Sequence, residues 1–268
     1  MDWLKVLALA VVQGITEFLP VSSSGHLIIG KHLMGLDSPG VRLEVVLHAG
    51  TLIAVCAYFW KRLWSLALGA LKMEKAAWWM IAFLVLATLP AGVAFKLVKH
   101  HKDMLESPLV AACGLLATGV VLLSLAFKER SDRSVQSDRS DESKKLNSLR
   151  ALLMGVGQAI AILPGVSRSG TTVSVARHAG LPREVAGEFA MLMSIPIILA
   201  AAAADLLGAE LGSAESAVTT PMYAVGALVA AAVGYAAVGI FMRALKSGRF
   251  WMFGIYCLCA GGAALIFC

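Results

Sequence analysis

Four stretches of this chain carry no charged side chain over about 20 residues, the length a helix needs to cross the hydrocarbon core of a bilayer: Ala76–Phe95, Leu109–Phe127, Met222–Met242 and Phe250–Cys268. Two further uncharged runs, Val45–Trp60 and Phe189–Ala204, each follow a glutamate, Glu44 or Glu188. Charged residues make up 15% of the chain and apolar ones 59%, against roughly 25% charged in an ordinary soluble domain. Trp60, Trp64, Trp78, Trp79 and Trp251 fall near the ends of these runs, where interfacial anchors belong. The pattern predicts an all-α polytopic membrane protein with six spans. The apolar amino terminus lacks a basic n-region and a small-residue cleavage site, so it is expected to stay in the protein.

The net charge of +6 comes from loops between apolar runs, which fits a topology signal and argues against nucleic acid as a partner. Cys56, Cys113, Cys257, Cys259 and Cys268 lie inside the predicted spans without CxxC spacing. They read as small apolar residues, with no disulfide or zinc site implied.

Sliding the sequence on itself by 145 positions sets Gln13 on Gln158 and Val21-Ser22-Ser23-Ser24-Gly25 on Val166-Ser167-Arg168-Ser169-Gly170, and one register away Glu44 meets Glu188. The chain therefore reads as two related halves, 1–127 and 150–268, joined by a hydrophilic linker at 128–149. In each half an apolar helix meets a Pro/Gly/Ser-rich break and then a short helical stretch, which fits a re-entrant hairpin better than a clean span. The hairpins are expected at about 3–34 and 150–180, with spans at about 42–60, 76–96 and 108–127, then 185–207, 221–243 and 250–268.

One hairpin plus three spans per half is an odd number of crossings, so the second half must be inverted. Basic residues support this. The loops 61–75, 128–150 and 243–249 hold fourteen Lys and Arg, and the opposite loops 31–43, 96–107 and 208–220 hold five. The linker is then cytoplasmic, both termini face outward, and two broken hairpins meet near the midplane, an architecture that builds binding sites.

The first hairpin tip offers Gln13 and Glu17, stacked on one helical face, followed by Ser22, Ser23, Ser24 and His26. A carboxylate at membrane depth costs about 2.5–3.5 kcal/mol on insertion scales, so Glu17 is expected to work as a metal ligand or proton-transfer group, or to be neutralised by a partner. The second tip offers Arg168 between Ser167 and Ser169, with Gly170, Thr171 and Thr172 beyond. A guanidinium fork, hydroxyls and a helix amino end form a phosphate cradle, unless Arg168 serves only to pair Glu17. A diphosphate bridged to Glu17 by a divalent cation would complete the two walls, and a lipid tail could stay in the membrane.

Gln13-Gly14-Ile15-Thr16-Glu17-Phe18-Leu19-Pro20-Val21-Ser22-Ser23-Ser24-Gly25-His26 and Pro164-Gly165-Val166-Ser167-Arg168-Ser169-Gly170-Thr171-Thr172 closely resemble the signatures of the bacitracin-resistance type of undecaprenyl diphosphate phosphatase, and the resemblance spans essentially the whole chain. It implies hydrolysis of undecaprenyl diphosphate to the monophosphate carrier of peptidoglycan synthesis in the bacterial cytoplasmic membrane, at a site open to its outer face, with magnesium or calcium required. By the same resemblance Gln13 and Glu17 form the metal-side pair, and Ser23 and His26 the reactive pair. Ser22, Ser24, Ser167, Arg168, Ser169, Gly170 and Thr172 then surround the phosphates. Gln13 replaces a second glutamate, which shifts the metal duty toward Glu17. Ser23, His26 and water all stay open as nucleophile.

Type-2 phosphatidic acid phosphatases share a Ser-Gly-His loop, but this chain lacks an Arg-Pro dipeptide and has Ser174 where their histidine would stand. A lipid-phosphate flippase using the same inverted repeats is the alternative function. Expected partners are the prenyl diphosphate lipid and membrane lipids, with a homodimer the oligomer considered. Glu44 and Glu188 are expected to serve helix packing or the re-entrant loops, His48 to pair with Glu44, His100 and His101 to lie in an exposed loop, Ala200–Ala204 to pack closely, and Ser131–Ser143 to form a solvated tether.

Overall fold

The computed structural model describes residues 3–33, 41–98, 105–134, 145–208 and 219–268. Among them are eleven helices: α1 Trp3–Phe18, α2 Ser23–Leu33, α3 Val41–Tyr58, α4 Trp60–Leu71, α5 Lys75–Val98, α6 Pro108–Ser134, α7 Ser148–Ile160, α8 Arg168–His178, α9 Arg183–Gly208, α10 Thr220–Lys246 and α11 Met252–Phe267. Lys75–Val98, Pro108–Glu129 and Thr220–Lys246 are each long and apolar enough to cross a membrane. A fourth candidate is α3 with α4, which bend by 75° at Phe59. The chain is thus a helical protein with several apolar candidate spans. The run ending at Trp60 does not stop there but turns into α4, and α11 is a shorter apolar helix of 16 residues.

Many large apolar side chains face outward, among them Leu4, Leu71, Ile266, Leu97 and Phe127, as a bilayer requires and water would not tolerate. Trp60, Trp64 and Trp79 share that exposed surface. Inside, Phe18, Met154, Phe189, Met191 and Phe241 belong to one buried cluster that ties the first hairpin, the second hairpin, α9 and α10 together. The first helix of each hairpin packs on a helix of the other half, α1 on α10 and α7 on α5, while α6 packs on α11 and α3 on α9. Glycines permit two of these approaches: a Cβ on Gly14 would stand 2.9 Å from the Ala230 carbonyl oxygen, and one on Gly155 2.6 Å from that of Ala87.

Two breaks interrupt the chain between α1 and α2 and between α7 and α8. At the first, Ser22 takes a left-handed φ of +67° while its hydroxyl accepts from the Gly25 amide at 3.3 Å. Ser167 caps α8 in the same manner, accepting from the Gly170 amide at 3.1 Å. A buried side chain from outside the hairpins secures the second break: Thr118 on α6 donates to the Gly165 carbonyl and accepts from the Ser167 amide, both at 2.9 Å. Backbone groups freed by the break are thus satisfied without water.

Helix α6 continues past Phe127 to Ser134, into the segment expected to be a tether. Glu129 explains the extra turn, because it is buried against Arg177 at the end of α8 and Arg183 at the start of α9. Glu188 joins two helices, the first of its two expected roles: it accepts from Arg62 on α4 at 2.6 Å. The side chain of Glu44, His100, His101, most of Ser131–Ser143 and most side chains of Ala200–Ala204 lie outside the described residues.

Gly165 sits at φ +82°, and a Cβ there would lie 1.9 Å from the Ala111 carbonyl oxygen. Gly165→Ala is expected to cost about 3 kcal/mol or more, since backbone strain and overpacking add. Thermal unfolding of the detergent-solubilised protein checks it, against a nearly silent Gly262→Ala, whose Cβ would meet nothing within 4 Å.

Candidate functional site

The two hairpin tips touch. Ser169 Oγ donates to the Leu19 carbonyl at 3.2 Å, Cβ positions on Gly25 and Gly170 would fall 2.9 Å from Gly165 Cα and 3.3 Å from Pro20 Cβ, and Cys257 Sγ reaches the Pro20 carbonyl at 3.5 Å. Between the tips lies a cavity of about 170 Å³. Glu17, Ser22, Ser23 and Ser24 line it from one side and Ser167, Arg168 and Gln158 from the other, with His48 of α3, Ala91 of α5 and Ile197 and Ile198 of α9 closing it.

Glu17 organises the interior. Its Oε1 accepts from Arg168 Nη2 at 2.6 Å, and its Oε2 accepts from Ser23 Oγ at 2.7 Å and from Gln13 Nε2 at 3.0 Å. His48 Nε2 stands 3.8 Å from the same Oε2. The Glu17 and Arg168 side chains are 6% and 15% exposed, so this charge pair is held largely away from water. Both lobes of the carboxylate are occupied, which is what a charge at this depth requires. Sequence reasoning treated pairing with Arg168 and a place in the site as rival roles. In the structure Glu17 and Arg168 pair with each other and both line the cavity.

Of the residues expected at the site, the structure gathers Glu17, Ser22, Ser23, Ser24, Ser167 and Arg168 around one cavity, with Gln13 directly behind Glu17. Ser169, Gly170 and Thr172 do not line it. Thr172 Oγ1 donates back to the Arg168 and Ser169 carbonyls, Ser169 ties the tips together, and the Gly170 amide is spent on the Ser167 cap. These three shape the tip rather than face the cavity.

His26 also differs from expectation. Its Nδ1 lies 2.8 Å from the Ser22 carbonyl and its Nε2 2.7 Å from the Tyr256 hydroxyl, with the two rings stacked at 5.7 Å. The helical step from Ser23 to His26 turns the ring toward α11, and the imidazole that lines the cavity is His48. The side chain of its expected partner, Glu44, lies outside the described residues. The sequence signal for His48 was present as a histidine inside an otherwise apolar run. Thr118 gave the same kind of signal, and Gln158 a stronger one as the repeat mate of Gln13.

Among the described residues no group of three or more His, Cys, Asp and Glu is placed to hold a metal. Glu17 is the carboxylate in the cavity wall, and the Oε1 atoms of Gln13 and Gln158 are buried without a hydrogen-bond partner. That donor set is too poor for an all-protein cage, yet it suits a hard cation that binds through one carboxylate and takes its remaining oxygens from phosphate and water.

Apolar helices around a small cavity where a carboxylate, a guanidinium and serine hydroxyls converge define a helical membrane protein with a polar cavity between its two chain breaks. A family model described as Bacitracin resistance protein BacA matches residues 6–263, and the chain belongs to that family. Relatives named undecaprenyl-diphosphatase include one from Rhodopirellula baltica, 40% identical over 264 residues that cover 97% of this chain and 96% of its own length. Another, from Desulfatibacillum aliphaticivorans, is 34% identical with 99% of each chain covered, and one from Nitrosococcus oceani is 36% identical over 100% of this chain and 98% of its own.

Removing Arg168 strands a buried carboxylate. Arg168→Met is expected to destabilise the protein by about 3 kcal/mol or more, and adding Glu17→Gln to restore a large part of that loss, because the neutral pair leaves no charge unmatched. A double-mutant cycle of unfolding free energies checks the sign of the coupling.

Proposed function

We propose that this chain hydrolyses undecaprenyl diphosphate to undecaprenyl phosphate and inorganic phosphate, recycling the lipid carrier for peptidoglycan synthesis and conferring bacitracin resistance. The observation that carries the reading is the placement of Ser23 and Arg168 on the two oxygens of one buried carboxylate, Glu17, in a cavity small enough for a phosphate group. The names of the relatives supply the substrate.

The chemistry follows from those contacts. At rest Arg168 neutralises Glu17. An arriving diphosphate competes for the guanidinium fork, whose planar donors match phosphate oxygens, and Ser22, Ser24 and Ser167 add uncharged donors. Freed of Arg168, Glu17 becomes the base for the Ser23 hydroxyl that already points at it. Ser23 Oγ attacks the terminal phosphorus, the bridging P–O bond breaks, and undecaprenyl phosphate leaves with the bridging oxygen. Water then attacks the phosphoserine, and Glu17 returns the proton to Ser23 as inorganic phosphate departs. His26 acts as a positioning residue, holding the Ser22 end of the tip between Tyr256 and its own helix. A divalent cation, magnesium or calcium, would be held by Glu17 with Gln13 behind it and would draw charge from the phosphates.

In the same reading the chain is a multi-pass protein of the bacterial cytoplasmic membrane, built as two inverted repeats at 1–127 and 150–268, each a re-entrant hairpin plus three spans. Its 128–149 linker is cytoplasmic and its site opens to the outer face. The 145-residue offset, the uneven distribution of basic loops, and the reciprocal packing of α1 on α10 and α7 on α5 support this.

Purified protein in detergent, with magnesium or calcium supplied, is expected to release phosphate from undecaprenyl diphosphate, and chelation to stop it. Arg168→Ala should lower kcat/KM by about 10³. No release from the folded wild-type protein would overturn the hydrolase reading in favour of a lipid-phosphate carrier. Quenching the reaction with terminally labelled substrate should leave label on Ser23. Label on His26, or on no residue, would replace the covalent step.

A further inference from the structure

Ser22 is the strained residue of the first break. Its φ of +67° is left-handed, a conformation that residues with a side chain keep only where their surroundings fix it. Here the fixing point is the Ser22 carbonyl. It accepts from the His26 backbone amide at 3.2 Å, and His26 Nδ1 stands 2.8 Å from it. That carbonyl belongs to the planar peptide unit joining Ser22 to Ser23, so its direction sets where the Ser23 Cα lies. Ser23 Oγ in turn donates to Glu17 Oε2 at 2.7 Å. The aim of the Ser23 hydroxyl therefore begins at the Ser22 carbonyl.

A carbonyl oxygen only accepts, so His26 Nδ1 carries a proton. Both contacts of the ring are to uncharged oxygens, and an imidazolium without a counter-charge is costly at membrane depth, so the ring is neutral. Nε2 is then a bare acceptor, and the Tyr256 hydroxyl at 2.7 Å is the donor that meets it. The two rings stack with 6° between their planes. Cys257, the next residue of α11, reaches the Pro20 carbonyl on the amino-terminal side of Ser22. Helix α11 thus holds the first break from outside the hairpins, as Thr118 of α6 holds the second.

We infer that Tyr256 is a positioning residue for the reaction: its hydroxyl keeps His26 in the Nδ1–H tautomer that clamps the Ser22 carbonyl, and so keeps Ser23 aimed at Glu17. The inference rests on the reading of Ser23 as the nucleophile. With both ring nitrogens engaged, His26 has none left to take a proton from Ser23 or to attack phosphorus. A tyrosine present only to pack would be as well served by phenylalanine, which keeps the stacked ring and lacks the hydroxyl.

Nuclear magnetic resonance of the full-length protein, isotopically labelled at its histidine ring nitrogens, should show His26 as a neutral ring with Nδ1 protonated and Nε2 bare. His26→Asn assigns the signal by removing it. In Tyr256→Phe the Nε2 resonance should shift as its hydrogen bond is lost. That variant keeps the ring and is expected to fold, and its kcat for undecaprenyl diphosphate should fall about tenfold while KM stays within about twofold of wild type. His26→Asn sets an amide nitrogen where Nδ1 stands, so it should keep kcat within about fivefold of wild type, whereas His26→Ala should lose about a hundredfold. Adding Tyr256→Phe to His26→Asn should change nothing further. An Nε2–H or doubly protonated ring in the wild type, an undiminished kcat in Tyr256→Phe, or a His26→Asn variant as inactive as His26→Ala would each overturn the inference. A wild-type protein that shows the expected tautomer yet releases no phosphate would instead remove the hydrolase reading itself.

Discussion

A carboxylate and a guanidinium held inside an apolar helical protein set the terms for everything around them. Neither Glu17 nor Arg168 is tolerable alone at that depth, and their attraction offsets desolvation only when the remaining oxygens and protons are also satisfied. Glu17 meets that condition through Ser23, Gln13 and Arg168. The two charges come from different halves of the chain, so forming the pair requires the hairpin tips to meet. The glycine contacts between the tips, the Ser169 bridge to Leu19 and the Thr118 latch on the second break all serve that meeting. In the proposed reaction a diphosphate parts this pair, because the substrate brings its own charge to replace the one it displaces.

The surrounding helices do a different task with cheaper means. Alanines and glycines let α1 approach α10 and α7 approach α5 closely, and large apolar side chains turn outward. Small residues at these contacts suit a lipid environment, where close backbone approach contributes more than extra hydrocarbon would. Elsewhere polarity is spent sparingly and in pairs, as with Glu129 between Arg177 and Arg183 and with Glu188 on Arg62.

How legible each feature was depended on how rare its residues are. Glu17 and Arg168 stood out because few charges interrupt the apolar runs, and the offset between Gln13 and Gln158 placed them in equivalent breaks. Ser169 and Thr172 were read as phosphate ligands because hydroxyls beside an arginine look alike in a sequence, yet Ser169 donates across to Leu19 of the first hairpin and Thr172 back to Arg168 on its own helix. The resemblance paired His26 with Ser23, whereas helical rotation carries its ring to Tyr256. Its place at the cavity is held by His48, from a helix distant in sequence. The extra turn of α6 was equally hidden, since the charge density that reads as a tether becomes helical once Glu129 finds two arginines.

Composition and charge spacing by themselves determined that this is a helical membrane protein, that its chain breaks twice at related motifs, and which two charges must find partners. Those are one-dimensional facts, because hydropathy and periodicity are carried by neighbours in sequence. Tertiary structure alone decided that the partners are each other, that Ser23 shares their carboxylate, and that His48 and not His26 lines the cavity. The reason is physical: direction around a helix and contact between distant segments are set by packing, and no residue's identity encodes them singly.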